Sequence, residues 1–86
     1  MQVTSAKMLA NALRDQRKAR NMTQTETAKV VGMKQTTVSA FENTPEGTKL
    51  DTLFKLLAAL DLELHVQARN SDVATTGDTN QWNEEW

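Results

Sequence analysis

The sequence predicts an all-α domain of four helices, followed by one β-strand and a polar tail. Three observations carry this prediction. The first 60 residues repeat apolar side chains at spacings of three and four, the period of amphipathic helices. Residues 62–68 switch to strict alternation, the period of a half-buried strand. Residues 70–86 contain no Lys or Arg, four acids, and only Val73, Ala74, Trp82 and Trp86 as apolar content, which is too little burial to offset ordering entropy. The chain therefore divides into a folded domain, 1–69, and a flexible acidic tail, 70–86.

Ser5 is placed to cap a first helix running to about residue 20, in which Ala6, Leu9 and Leu13 share one stripe. Lys7, Arg14 and Lys18 fall together on a neighbouring stripe, and Asn21 can take the left-handed conformation that ends the helix. Thr23 and Glu26 make a capping box for a second helix over about 24–31. Gly32 supplies the left-handed turn after it. A third helix over about 35–42 buries Val38 and Phe41 on one face. Its other face carries Gln35, Thr36, Ser39 and Asn43, short or amide side chains able to hydrogen-bond base edges. Helix, tight turn and polar second helix are the layout of a helix-turn-helix that enters the DNA major groove.

Pro45 and Gly47 mark residues 43–48 as a loop. A fourth helix, capped by Thr48 and running from about 49 to 60, carries Leu50, Leu53, Phe54, Leu57 and Leu60 as the stripe expected to close the core. Beyond it, Leu62, Leu64, Val66 and Ala68 alternate with polar residues. One strand cannot satisfy its own backbone, and no second strand pattern exists in the chain. The expected partner is the same strand of a second copy, which predicts a homodimer about a twofold axis.

The net charge of −1 hides a strong partition. Residues 1–41 hold seven Lys or Arg against two acids, a balance of +5, and residues 42–86 hold three against nine, −6. A basic end suited to phosphate and an acidic end suited to another partner are expected. The chain has no cysteine and one histidine, His65, expected to face outward from the strand, so no disulfide, metal centre or cofactor is expected. Met8, Met22 and Met33 are expected to fill the core. No membrane span or signal peptide is apparent, and a cytoplasmic protein is expected. Nucleophile–base pairs, paired-carboxylate clefts and phosphate-cradling glycine loops are lacking, so catalysis is not expected.

The segment 23–42, TQTETAKVVGMKQTTVSAFE, resembles the phage-repressor-like (XRE) helix-turn-helix family, with Thr23, Gln24, Ala28, Gly32, Val38 and Glu42 at the family's positions. Over nearly its whole length the chain is similar to HipB-type antitoxins, through GMKQTTVSAFEN, the leucine-rich fourth helix, the LELHV strand and the terminal Glu85-Trp86. The resemblance implies a dimeric autorepressor of its own operon that also binds a HipA-type serine/threonine kinase toxin. A stand-alone repressor of the same fold is the alternative; the acidic, Trp-terminated tail argues for the antitoxin.

Gln35 is the leading base reader, matched to adenine N6 and N7, and the family places a base-reading residue there. Lys34 suits guanine or a phosphate, and Thr36 and Ser39 suit methyl or hydroxyl contacts to bases. Gln24 at a helix N-terminus, with Thr37, Lys18 and Arg14, is a phosphate-contact candidate. The resemblance further implies a buried structural ion pair between Arg17 and Glu42, and a partner-anchoring role for Trp86 in the tail. Thr27 departs from the family, which usually carries Leu there; its methyl can pack while its hydroxyl bonds the preceding turn.

Overall fold

The computed structural model describes residues 2–69. The tail expectations, including Trp82 and Trp86, lie outside these residues. Four α-helices follow in order: α1 Ala6–Ala19, α2 Gln24–Val30, α3 Gln35–Asn43 and α4 Leu50–Ala59, with a short 3₁₀ turn, Pro45–Gly47, between the last two.

Local chemistry accounts for the helix starts. Ser5 Oγ accepts the Met8 N–H at 3.1 Å and opens α1. At α2 the capping box is complete: Thr23 Oγ1 accepts the Glu26 N–H at 3.0 Å, and Glu26 Oε1 accepts the Thr23 N–H at 2.8 Å. The start of α4 differs from expectation. Its cap is Lys49, which makes no side-chain capping bond, while the Thr48 N–H closes the 3₁₀ turn on the Pro45 carbonyl at 3.0 Å. The proline-led turn takes up Thr48 and moves the helix start one residue on.

Three helix ends share one device. Asn21, Gly32 and Asp61 lie at φ 58, 68 and 57°, just past α1, α2 and α4. In each case the next residue turns its N–H back onto the last turn: Met22 to Arg17 O at 3.1 Å, Met33 to Ala28 O at 2.9 Å, Leu62 to Leu57 O at 2.8 Å. This is the Schellman arrangement, in which an apolar residue follows the left-handed one. All three such residues, Met22, Met33 and Leu62, are partly buried against the core. The turns that end the helices therefore also deliver core side chains.

The core gathers Ala10 and Leu13 from α1, Ala28 from α2, Val38 and Phe41 from α3, and Leu53, Leu56, Leu57 and Leu60 from α4 and its end. Two residues expected there are outside it: Leu50 is 70% exposed and Phe54 52%. Phe54 lies about 100° around the helix from Leu53, too far to share its stripe, and the place falls to Leu56. Met8 is likewise 42% exposed, on the outer side of α1 beside the Thr4 hydroxyl. Thr27 is fully enclosed, and its hydroxyl donates to the Thr23 carbonyl at 3.0 Å. A polar side chain satisfied inside its own helix can take a core position at little cost.

The expected strand does not form within this single chain: among the described residues there is no strand. Leu62 packs on the core, whereas Leu64 and Val66 are 47% and 93% exposed. No other segment of the folded domain offers these residues a ladder. Leu64 and Val66, the alternate apolar residues of the expected strand, stay outside the core of the single chain.

Candidate nucleic-acid interface

The left-handed Gly32 lets the chain reverse between α2 and α3, and α3 packs against both α1 and α2. Val38 and Phe41 fix its inner face. Lys34, Gln35 and Thr36 are exposed at its start, Thr37 and Ser39 are half-buried, and Asn43 is exposed at its end. Asn43 Nδ2 donates to Ser39 Oγ at 3.2 Å, so these two polar side chains act as a pair one turn apart. Neither Lys34 nor any other side chain caps the start of α3, which leaves the first N–H groups of that helix open.

Behind this surface lies an ion pair. Arg17 of α1 donates from Nε to Glu42 Oε2 at 2.7 Å and from Nη2 to Glu42 Oε1 at 3.0 Å. Its third nitrogen, Nη1, donates to the Met22 carbonyl at 2.9 Å. The two side chains are 11% and 6% exposed. Burial alone would push the Glu42 carboxyl up. Hydrogen bonds from Arg17 and Gln24, with the positive charges of Arg17 and Arg14, outweigh burial and hold it below the usual glutamate range. It is a carboxylate at any physiological pH.

Two contacts were not legible in the sequence. Gln24, the first residue of α2, donates from Nε2 to Glu42 Oε1 at 3.1 Å. Gln35, the first residue of α3, donates from Nε2 to Gln24 Oε1 at 2.6 Å. The only signal is that both glutamines open their helices on either side of one tight turn. Gln24, expected at a phosphate, is thus partly committed to its neighbours, and one amide hydrogen is left over. Of the basic residues of α1, Lys7 and Lys18 are exposed and Arg14 is half-buried, its Nε enclosed without a protein partner. His65 lies outside this cluster, exposed, with Nε2 2.6 Å from Glu63 Oε2. Among the described residues no group of three or more His, Cys, Asp or Glu could hold a metal ion, and no helix is long and apolar enough to cross a membrane.

A tight-turned helix pair with an outward polar second helix, buttressed by the first, defines the class: a helix-turn-helix protein. The Helix-turn-helix family matches residues 13–66. Antitoxin HipB of Escherichia coli (strain K12) is 42% identical over 85 residues, 98% of this chain and 93% of that protein. One chain of a solved HipA-HipB-O2-O3 complex superposes with a TM-score of 0.80 at 40% identity, covering 81% of this chain and 99% of that one. A chain of a HipB-O4 20mer complex gives the same score, identity and coverage. The chain belongs to the helix-turn-helix family and, within it, to the HipB antitoxins.

Proposed function

We propose that the protein is a homodimeric, DNA-binding antitoxin that represses its own operon and restrains a HipA-type kinase. The observation that carries this reading is the near full-length similarity to HipB, whose solved neighbours include a HipA-HipB-O2-O3 complex. The geometry supports the DNA half: α3 turns Lys34, Gln35 and Thr36 outward, with Ser39 half-exposed behind them. In this reading those four side chains meet base edges, while Gln24, Thr37, Lys18 and Arg14 meet phosphates.

Dimerisation is the finer part of the proposal. An open groove runs between α1 and residues 62–69, lined among others by Val3, Leu9, Ala12, Leu57, Leu64 and Val66. Pairing of residues 62–68 with the same segment of a second copy would cover part of it and satisfy the backbone of both segments. The tail carries the last part, with Trp86 as an anchor on the kinase.

The test is a titration of the full chain against a duplex from the region upstream of its own reading frame, in parallel with a scrambled duplex, at physiological salt. Specific binding at ~10⁻⁸ M or tighter, at least a thousandfold above the scrambled duplex, is the expected result on the scale of such proteins. Equal affinity for both duplexes would overturn the repressor half. A second titration, against the kinase encoded beside it, tests the antitoxin half separately.

A further inference from the structure

Four side chains form one hydrogen-bonded line from the interior to the surface: Arg17, Glu42, Gln24 and Gln35. The ion pair at one end is nearly closed off, its side chains 11% and 6% exposed, Gln24 is half-buried, and Gln35 at the other end is exposed. The line has a direction. A carboxylate offers only acceptors, so the Gln24 group 3.1 Å from Glu42 has to be its NH₂. The Gln24 oxygen is then turned to the other side, and only a donor can approach it at 2.6 Å, so Gln35 has to give its own NH₂. Reversing either amide would set oxygen against oxygen. The polarity of Gln24 thus follows from the charge it touches, and that of Gln35 from the same charge one side chain further on.

The consequence appears at Gln35. One of its two amide hydrogens is taken by Gln24, which leaves one N–H and the oxygen. Adenine presents one acceptor, N7, and one donor, N6, on its major-groove edge, whereas guanine presents two acceptors, N7 and O6. A tethered Gln35 can satisfy adenine twice and guanine only once. An untethered glutamine keeps both hydrogens and can turn its NH₂ onto both guanine acceptors.

We propose that Glu42 is a specificity-determining positioning residue: through Gln24 it fixes the orientation of Gln35 and so favours adenine over guanine at the base pair Gln35 meets. This rests on the reading above that α3 enters the major groove. Arg17 serves the same end by keeping Glu42 in place from the opposite side, through two of its nitrogens. The ion pair therefore has a role in base choice beyond holding α1 to α3.

Selection from a randomised duplex library, with sequencing of the bound pool, tests it. Gln35→Ala first marks the position whose preference depends on Gln35. Glu42→Gln keeps the shape but removes the one-way acceptor, and the adenine-over-guanine preference at that position should fall ~10-fold while the other positions keep theirs. Gln24→Ala breaks the line without touching the ion pair and should cause the same loss at the same position. Arg17→Met with Glu42→Gln leaves no unpaired cation and covers the case in which Glu42→Gln alone does not fold. A purely structural Glu42 would weaken all positions together; that result, or an unchanged preference in folded Glu42→Gln and Gln24→Ala, overturns the proposal. If Gln35→Ala alters no position, the base-reading assignment falls and this inference with it, while selective binding to the upstream duplex would still stand.

Discussion

Arg17 closes on Glu42 with two nitrogens and on the Met22 carbonyl with the third, so one guanidinium ties together α1, the turn that ends it, and α3. Every nitrogen of the group is used, and the pair is nearly removed from water. In such a setting the cost of desolvating the two charges is large, and what matters is that both are present. The link lies directly behind the surface proposed to read DNA.

Removing one member should therefore be worse than removing both. Arg17→Met alone is expected to cost ~3–5 kcal/mol, because it strands a buried carboxylate. The double variant Arg17→Met with Glu42→Leu should recover much of that loss. Urea unfolding of the two singles and the double measures the coupling directly; additive losses would show that the pair is not coupled.

The same carboxylate makes stability depend on acid. Glu42 is held below its ordinary value in the folded chain, so the unfolded chain binds the proton more readily. The stabilisation is complete above the ordinary glutamate range near ~4.3 and is lost as pH falls through it towards the lowered folded value. Glu26 is lowered too, chiefly by the backbone N–H of Thr23 and then by its hydroxyl, and adds in the same direction. Thermal melts between neutral and acidic pH should show this decline, and Glu42→Gln should flatten it.

On DNA, Gln35→Ala should cost ~1–3 kcal/mol on the upstream duplex and little on scrambled DNA, because base contacts carry sequence information. Lys18→Ala should weaken both alike and lower the slope of log affinity against log salt by about one. Titrations at several salt concentrations separate the two behaviours. An equal loss on both duplexes for Gln35→Ala would remove it from the base-reading set.

Much of the domain was legible from local signals. Ser5, the Thr23–Glu26 box, Asn21 and Gly32 are short-range devices, and the helices they bound lie within a residue or so of expectation. What the sequence concealed was set by packing. Leu50 and Phe54 fit an apolar spacing, yet which of several overlapping leucine stripes faces inward depends on where α4 docks, and Leu56 was chosen. Met8 was lost in the same way. The Gln24–Gln35 contact spans eleven residues and depends on how two helix starts are brought together, which no single-helix periodicity encodes. The strand expectation concerned a second copy, which a lone chain cannot display.

Assembly can be tested at residue 66. Val66→Pro removes a backbone N–H and is expected to break a ladder bond in a ribbon of two copies. Sedimentation of the native chain at micromolar concentration should give a dimer, and the variant should dissociate at lower dilution. Since Val66 is 93% exposed in the single chain, the melting of the monomer fold itself should hardly change. A native monomer would overturn the dimer reading.

Trp86 lies outside the described residues, and its expected role is tested by deletion. Loss of the terminal indole should leave affinity for the upstream duplex unchanged and speed dissociation from the kinase, since a tethered anchor acts mainly on the off-rate. Surface-bound kinetics against both partners give the comparison. Unchanged kinase dissociation would assign restraint to the folded domain alone.

Gly32 invites a different kind of question. A Cβ built there meets nothing within 4 Å, so what an L side chain would meet at the turn before α3 is torsional strain and not crowding. At φ 68° an L-residue is strained, while the mirror-image configuration finds this torsion natural. A chain assembled by chemical ligation with D-alanine at 32 should escape this torsional strain, whereas L-alanine should cost about 1 kcal/mol; thermal melts of the two chains make the comparison. The hinge of the DNA-facing motif thus carries a stereochemical cost for any L side chain, a cost this chain bears at Asn21 and Asp61 and avoids at Gly32.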